Sequence, residues 1–492
     1  MNLFRKNKLL IFITLTFIIN HILTLPLSPM PWYDEVIFQS ISLDFWQNGS
    51  FKAPVDPLFH NGQNNFIYGP VYFFLQSLIY HLFGISVVTG RFLNLIFSFG
   101  IVLLVIFFYK KIESNSKHIL LLISTFIFDY IFNRNMHSGR MDLIPVFIAI
   151  LAYFIYFDLI HIKQSFLRVS LLAILLSLSI LTTPRIYFVY IFLILDSFYL
   201  LIKDRKKLLP NLIIGFIVVS IYCLWVFYSY GSFSGLINEY IFQQTSEIVK
   251  NHNWFNAIFR YFYENPLVIL VLIIFLWCIY KIKYLSTDTN KFRLLLFTII
   301  TIISFHVFIR EAGPYMAMVI PFYFLFIGII LSYNFPNLFI KFGYVVLALN
   351  FTFFSLKNFE IYSNYKSRNP KLVHDFIEKN IPKESKVLGS WEYFYVCEGN
   401  GHPFQSLGNG FSSQRLHHQI QNFKFDYLFL NKRSVSDFNK ISENVELTLI
   451  DSLCVRPDKS SIVKLVERIQ GFSIQTSYEG YLYKVDCMDI HK

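Results

Sequence analysis

A small set of ionisable side chains stands where charge is expensive. Asp34 and Glu35 occur in Pro31-Trp32-Tyr33-Asp34-Glu35, and Arg140 and Asp142 in Ser138-Gly139-Arg140-Met141-Asp142. Arg185 occurs in Thr182-Thr183-Pro184-Arg185, and Arg310 in Arg310-Glu311-Ala312-Gly313-Pro314-Tyr315. Each borders a long apolar run, and an ionisable group at membrane depth is a functional candidate by default. A carboxylate can take a proton from a reacting group, and the planar arginine fork suits phosphate. Singly, each residue also has an ordinary reading. The Asp34-Glu35 pair reads as solvated surface at a helix end. Asp142 favours the positive end of its own helix. Arg140 reaches headgroups, and Arg185 and Arg310 anchor at the interface. Together, at one depth, they could enclose a single polar cavity. Other buried charges read as structural pairs: Asp158 with Lys163, Asp196 with Lys203, and Asp129 with Arg134.

The elements that must carry these residues are membrane helices. Of 492 residues, 55% are hydrophobic and only 15% charged, where a globular domain has about 25% charged. The apolar residues cluster in Leu9–Leu27, Val87–Tyr109, Met141–Ile160, Pro210–Tyr228, Pro266–Tyr280 and Val345–Leu356. Several of these reach the roughly 20 residues that a membrane-spanning helix needs. Leu9–Leu27 follows a basic start but runs into Leu-Pro-Leu-Ser-Pro-Met-Pro where a signal peptide would need small residues. It reads as a retained first helix.

Hydropathy predicts about eleven transmembrane helices, near 9–27, 87–109, 118–133, 141–160, 168–183, 186–202, 210–229, 266–283, 293–309, 314–333 and 339–357. With the N-terminus inside, the inner segments carry 17 Lys+Arg and the longer outer segments 8. That contrast supports a cytoplasmic N-terminus and, with an odd helix count, an extracytoplasmic C-terminus. The net charge of +12 is therefore a topology signal and gives no reason to expect nucleic acid; membrane lipids are the expected surroundings. All the candidates above then fall on the outer side. The first outer loop, 28–86, contains two amphipathic or apolar stretches, Val36–Trp46 and Val71–Phe83, that read as interfacial helices. The second outer loop covers 230–265.

Composition changes near residue 358. Residues 358–492 hold 17 Lys+Arg and 16 Asp+Glu. A helix at Lys371–Asn380, strands at Lys386–Leu388, Phe425–Leu430 and Val445–Ile450, a helix at Ser461–Gln470 and a closing hairpin at Ser473–Asp486 are expected. The fold class is thus an α-helical polytopic membrane protein, a transmembrane domain at 1–357, with a small C-terminal α/β extracytoplasmic domain at 358–492. Among five cysteines, a disulfide between two of Cys397, Cys454 and Cys487 is possible, and spacing does not say which two.

These residues occur in an order that resembles the GT-C glycosyltransferases, in particular the bacterial family related to protein O-mannosyltransferases and the lipid A aminoarabinose transferase. An acidic pair follows an aromatic at Tyr33-Asp34-Glu35. Tyr68-Gly69-Pro70-Val71-Tyr72 leads into Leu82-Phe83-Gly84 and Gly90-Arg91-Phe92. Arg140-Met141-Asp142, Thr183-Pro184-Arg185, and Arg310 with Tyr315 and then Pro321 complete the set. The likeness covers about residues 1–357. Two departures stand out: Arg185 replaces a frequent lysine, and Ala312-Gly313 lengthens the last element.

The resemblance implies an inverting glycosyltransferase that moves a sugar from a polyprenyl-phosphate donor to an envelope acceptor: a glycolipid, a polysaccharide or a protein. Asp34 would be the general base, Glu35 would orient the acceptor or hold the site, and Asp142 would be a second acid. Arg140, Arg185 and Arg310 would bind the donor phosphate. Tyr68, Tyr72, Tyr315 and His60 would line the substrate path, although an interfacial aromatic belt accounts for the tyrosines equally well. A lone histidine such as His60 or His137 is more often structural. No cofactor is required, and a divalent cation bridging carboxylate and phosphate is an open expectation. The alternative is a transporter or flippase of a lipid-linked or anionic substrate. It would spread charge through the membrane and often show internal repeats, whereas here the charges gather on one side.

Overall fold

The computed structural model describes residues 8–59, 63–112, 115–203, 205–247, 267–281, 285–286, 289–309, 313–333, 337–407, 413–438, 445–454, 461, 464 and 477–488. Lipid offers no hydrogen-bond partners, so apolar runs must satisfy their own backbone as helices. Among the described residues an apolar helix stands at each predicted span. In chain order these are α1 (Lys8–Thr24), then, after two helices of the first long loop, α2 (Tyr33–Asn48) and α3 (Pro70–Phe83), α4 (Val87–Ile112). The bent pair α5 (Ser116–Ile127) and α6 (Tyr130–Met136) follows, with α7 (Leu143–Tyr156), α8 (Ser165–Ile180), α9 (Tyr190–Lys203) and α10 (Arg205–Tyr230). The series closes with α11 (Leu267–Tyr280), α12 (Thr289–Phe308), α13 (Gly313–Leu331) and α14 (Asn337–Ser363). The protein is thus a polytopic helical membrane protein. Five of these spans are long enough to cross a bilayer unaided, and α5 with α6 forms a sixth, broken by 55°.

The break has a local cause. The Asp129 side chain accepts the Phe132 N–H at 2.9 Å and starts a new helix. Asn133 Nδ2 holds the corner by donating to the Ile127 carbonyl at 2.7 Å. Two of the expected charge pairings differ. Asp196 pairs with Arg293 of α12 at 2.7 Å and accepts from Tyr156, not Lys203. Asp158 contacts His161 and, at 3.6 Å, Arg168, not Lys163. In both cases the sequence neighbour lost to a partner on another element, because packing decides which charges meet.

After α14 come α15 (Pro370–Asn380), capped by Asn369, and a sheet of β1 (Val387–Gly389), β2 (Phe404–Ser406), β3 (Tyr427–Leu430), β4 (Val445–Cys454) and β5 (Glu479–Met488). The order is β2-β1-β3-β5-β4. β1 runs parallel to β2 and β3, and β5 is antiparallel to β3 and β4. The expected closing hairpin is instead one strand, β5, inserted between β3 and β4. Sequence reading also missed β2 and the short helix Phe394–Gly399. The Ser461–Gln470 helix lies largely outside the described residues. Cys397 is a buried free thiol. Cys454 stands opposite Glu479 and Cys487 opposite Glu446, so these two occupy opposite ends of the β4–β5 ladder.

The tail does not stand apart from the first long loop. Val36, Ile41 and Phe73 of α2 and α3 share one hydrophobic core with Val373, Tyr395 and Phe429. Next to this core, half-buried Glu398 accepts the Phe404 N–H at 2.9 Å. Burial pushes its carboxyl up to about 7, with that hydrogen bond opposing. A raised folded-state value stabilises below the unfolded-state value and loses that contribution as pH climbs toward 7. Thermal stability should therefore fall between pH 5 and pH 7.5, and Glu398→Gln should flatten that fall. Unfolding midpoints of the two proteins at both pH values check it.

Candidate active site

The Ser138–Asp142 turn is held by polar contacts from three elements. Asn94 of α4 donates from Nδ2 to the Ser138 carbonyl at 2.9 Å. Gln39 of α2 donates to the Gly139 carbonyl at 2.7 Å, and the Tyr72 hydroxyl of α3 donates to the same oxygen at 2.8 Å. A Cβ on Gly139 would lie 2.6 Å from Gln39 Nε2 and 2.9 Å from the Gly90 carbonyl oxygen, so only glycine allows this approach.

That turn projects Arg140, which is 1% exposed, between two carboxylates. Its Nη1 donates to Asp34 Oδ2 and its Nε to Asp142 Oδ2, the latter at 2.6 Å. Each carboxylate keeps an oxygen uncommitted. Asp142 Oδ1 is buried without a partner. Asp34 Oδ1 carries no hydrogen bond among the described residues, and the Asp34 side chain is 35% exposed. The Arg140 guanidinium also lies 5.2 Å from the Tyr315 ring centre and 5.4 Å from that of Trp32.

Arg185 arrives from the other side of Tyr315. It opens a 3-10 turn, Pro184–Val189, that Thr183 caps by accepting the Arg185 N–H. The first long loop crosses the end of α8 closely enough for the Val71 N–H to reach the Leu181 carbonyl at 3.3 Å. Gly69 makes this contact possible: a Cβ there would sit 1.8 Å from Leu181 O. The crossing sets Tyr68 against Arg185, whose guanidinium stands 5.2 Å from the Tyr68 ring and 4.3 Å from the Tyr315 ring. No carboxylate lies within salt-bridge distance of Arg185 among the described residues.

Asp34, Arg140, Asp142, Arg185, Tyr68 and Tyr315 therefore converge. Glu35 does not face that space. It is fully buried, accepts from Arg91 at 2.7 and 3.0 Å through both oxygens, and accepts from the Tyr395 hydroxyl of the tail at 2.9 Å. Burial, with Glu35 beside it, holds the Tyr395 phenol well above its ordinary range, so it is a donor. Of the two roles expected for Glu35, only holding the site fits this geometry. Tyr72, 1% exposed, braces the Gly139 carbonyl rather than lining a path. Arg140 is committed to two carboxylates, which is at odds with the expectation that it binds donor phosphate. His60 and Arg310 lie outside the described residues. No group of three His, Cys, Asp or Glu side chains is arranged to hold a metal ion among the described residues, so the divalent-cation expectation gains no ligand set.

Sequence reading gave no role to Arg91, Gln39, Tyr395 or Trp391. Arg91 had a signal, because Gly90-Arg91 follows the outer loop in the same motif series. Tyr395 and Trp391, which meets Tyr33 at 4.7 Å between ring centres, had none, since their partners lie hundreds of positions away.

No protein-family model matches the chain, and no curated protein matches it in sequence. Its fold is that of solved ArnT structures. The crystal structure of ArnT from Cupriavidus metallidurans bound to undecaprenyl phosphate matches with a TM-score of 0.59 at 11% identity, covering 99% of each chain. The apo form of that protein matches with a TM-score of 0.54 at 12% identity, over 96% of this chain and 97% of that one. The match spans both the transmembrane helices and the tail.

Two outcomes follow from the packing. Gly69→Ala should lower stability by about 1–3 kcal/mol through overpacking, whereas Gly215→Ala, with nothing within 4 Å of the added Cβ, should not. Arg91→Leu strands a buried carboxylate and should cost about 3–5 kcal/mol; Tyr395→Phe should cost about 1.5–3 kcal/mol. Denaturant midpoints in detergent order the four variants.

Proposed function

We propose that the protein is a membrane glycosyltransferase that uses a polyprenyl-phosphate sugar donor and works on the outer face of the cell membrane. The observation that carries this reading is the division of labour around Tyr315. On one side Arg140 clamps Asp34 through one oxygen and leaves the other open. On the other, Arg185 stacks on Tyr315 and presents a guanidinium with no carboxylate within salt-bridge distance among the described residues. The shared fold with ArnT, solved with undecaprenyl phosphate, supports the choice of donor class.

The acceptor hydroxyl attacks the anomeric carbon while Asp34 Oδ1 takes its proton. The bond from that carbon to the phosphate oxygen breaks through an oxocarbenium-like transition state, and the configuration inverts. The electron pair leaves with the lipid phosphate, whose charge Arg185 stabilises in a low-dielectric site. Arg140 fixes the Asp34 rotamer and Asp142 fixes Arg140. Arg310 is a further candidate for the phosphate, and Tyr68 and Tyr315 wall the space. The acceptor is an envelope glycolipid, polysaccharide or protein. The N-terminus is cytoplasmic, and residues 358–492 form an extracytoplasmic domain beside the acceptor.

Purified protein is tested for transfer from radiolabelled polyprenyl-phosphate sugars to membrane-extract acceptors. Asp34→Asn should reduce transfer by about 10²–10⁴-fold with binding of undecaprenyl phosphate retained. Arg185→Ala should weaken that binding as well as the rate. Unchanged transfer by Asp34→Asn would place the base elsewhere. No transfer from any donor would favour the transporter reading, and flux of the labelled lipid would then be measured.

A further inference from the structure

The tail reaches the Arg140 turn across two glycines. Tyr395 lies on the short helix Phe394–Gly399 and is 1% exposed. Its hydroxyl donates to Glu35 Oε1 at 2.9 Å, the oxygen that also accepts from Arg91 Nε at 2.7 Å. Its ring packs on Gly90 of α4, where a Cβ would stand 2.5 Å from Tyr395 Cε1. Gly90 in turn faces Gly139: a Cβ on Gly139 would lie 2.9 Å from the Gly90 carbonyl oxygen and 3.0 Å from Glu35 Cγ. Gln39 ties the two backbones, with Nε2 donating to the Gly90 carbonyl at 3.0 Å and to the Gly139 carbonyl at 2.7 Å. The residue after Gly139 is Arg140, whose Nη1 holds Asp34. Gly90 and Gly139 thus put no side chain of their own between the tail's phenol and the turn that carries Arg140.

Glu35 is fully buried, so its charge must be met by donors. Arg91 supplies two of them, and Tyr395 brings a third from the tail. Three donors on two oxygens hold the carboxylate in one orientation. That orientation sets Glu35 Cγ against Gly139 too closely for a methyl group to intervene. A shift of Glu35 is therefore passed to the Ser138–Asp142 turn, to Arg140 and so to Asp34. Misplacing a reacting group by about 1 Å costs on the order of 100-fold in rate. Arg185 stands apart from this chain of contacts, on the turn after α8 and against Tyr68 and Tyr315.

We infer that Tyr395 is a positioning residue for the transfer reaction: from the tail it orients Glu35, and through Glu35 and Gly139 it sets the Arg140 clamp on Asp34. The inference rests on Asp34 being the base, as proposed above. It makes the tail a contributor to the rate of the reaction as well as to stability, and it leaves the donor phosphate to Arg185.

Transfer kinetics of the full chain in detergent test it, below the unfolding transition of every variant. Tyr395→Phe should lower kcat about tenfold or more, with the KM for the polyprenyl-phosphate donor unchanged. Tyr109→Phe is the control. Its buried hydroxyl donates to the Phe324 carbonyl at 2.7 Å, and it lies 18 residues along α4 from Arg91, about 27 Å. It loses a similar bond and should keep the parent kcat. Hydrogen exchange reads the same link without turnover: Tyr395→Phe should speed exchange in peptides covering 33–40 and 138–142, and Tyr109→Phe should not. Gly90→Ala displaces the phenol ring while keeping its hydroxyl; it should show both effects, and it replaces Tyr395→Phe should that variant fold poorly. Parent-like kcat in folded Tyr395→Phe, or equal losses in the two Phe variants, overturns the inference. A parent chain that transfers no sugar sinks the transfer reading instead. Exchange then decides the link from the tail to the Arg140 turn, and parent-like exchange in both Tyr395→Phe and Gly90→Ala overturns it.

Discussion

The buried pair of Glu35 and Arg91 is the constraint on which the candidate site depends. Neither charge touches solvent, and in a low-dielectric interior neither can remain unpaired. Satisfying both requires four parts of the chain to reach one point. α2 supplies Glu35, and α4 supplies Arg91. The end of α1 supplies the Leu25 carbonyl, which accepts from Arg91 Nη1 at 2.9 Å, and the tail supplies Tyr395. Asp34 is the next residue along α2 from Glu35. Fixing Glu35 therefore fixes the helical register from which Asp34 extends on a different face, toward Arg140. An adjacent acid pair thus divides into an anchored member and an accessible one.

The tail is bound into the same constraint. Tyr395 enters so closely that a Cβ on Gly90 would meet its ring at 2.5 Å. Ser406 donates its N–H to the Val55 carbonyl at 2.7 Å, and Tyr478 donates its N–H to the Ser367 carbonyl at 2.8 Å. These contacts make the C-terminal region a wall of the α2–α3 loop structure. Trp391 stands over Tyr33, the residue before Asp34, which places part of that wall beside the accessible carboxylate.

Much of this was legible before any coordinates. Long apolar runs admit one backbone solution in lipid, so helix positions followed from hydropathy. Val36–Trp46 and Val71–Phe83 were recognisable in an otherwise long loop and became α2 and α3. Shared depth brought Asp34, Arg140, Asp142 and Arg185 together as candidates, and the family resemblance added Tyr68 and Tyr315. What could not be read was partnership. Asp196 could meet Lys203 nearby or Arg293 nearly 100 positions away, and only the packing of α9 against α12 decides. β5 inserts between β3 and β4 although β4 precedes it, and strand order of that kind carries no local signal. Glu35 and Asp34 are indistinguishable as sequence; burial separates them.

The two arginines at Tyr315 show why residue type alone does not assign a role. Both are guanidinium groups that stack on the same ring. Arg140 commits its Nε to Asp142 and an Nη1 donor to Asp34, so an incoming phosphate would have to compete with two carboxylates for its charge. Arg185 stacks on Tyr68 and Tyr315 with no carboxylate within salt-bridge distance among the described residues, and ring quadrupoles stabilise a cation without neutralising it. Its charge is therefore available to an incoming anion. An aromatic cradle for a cation that must meet phosphate, and a carboxylate clamp for a cation that must orient a base, are different solutions to the cost of burying arginine. Placing both on one tyrosine keeps the two charges separate while leaving their targets within a single substrate's reach.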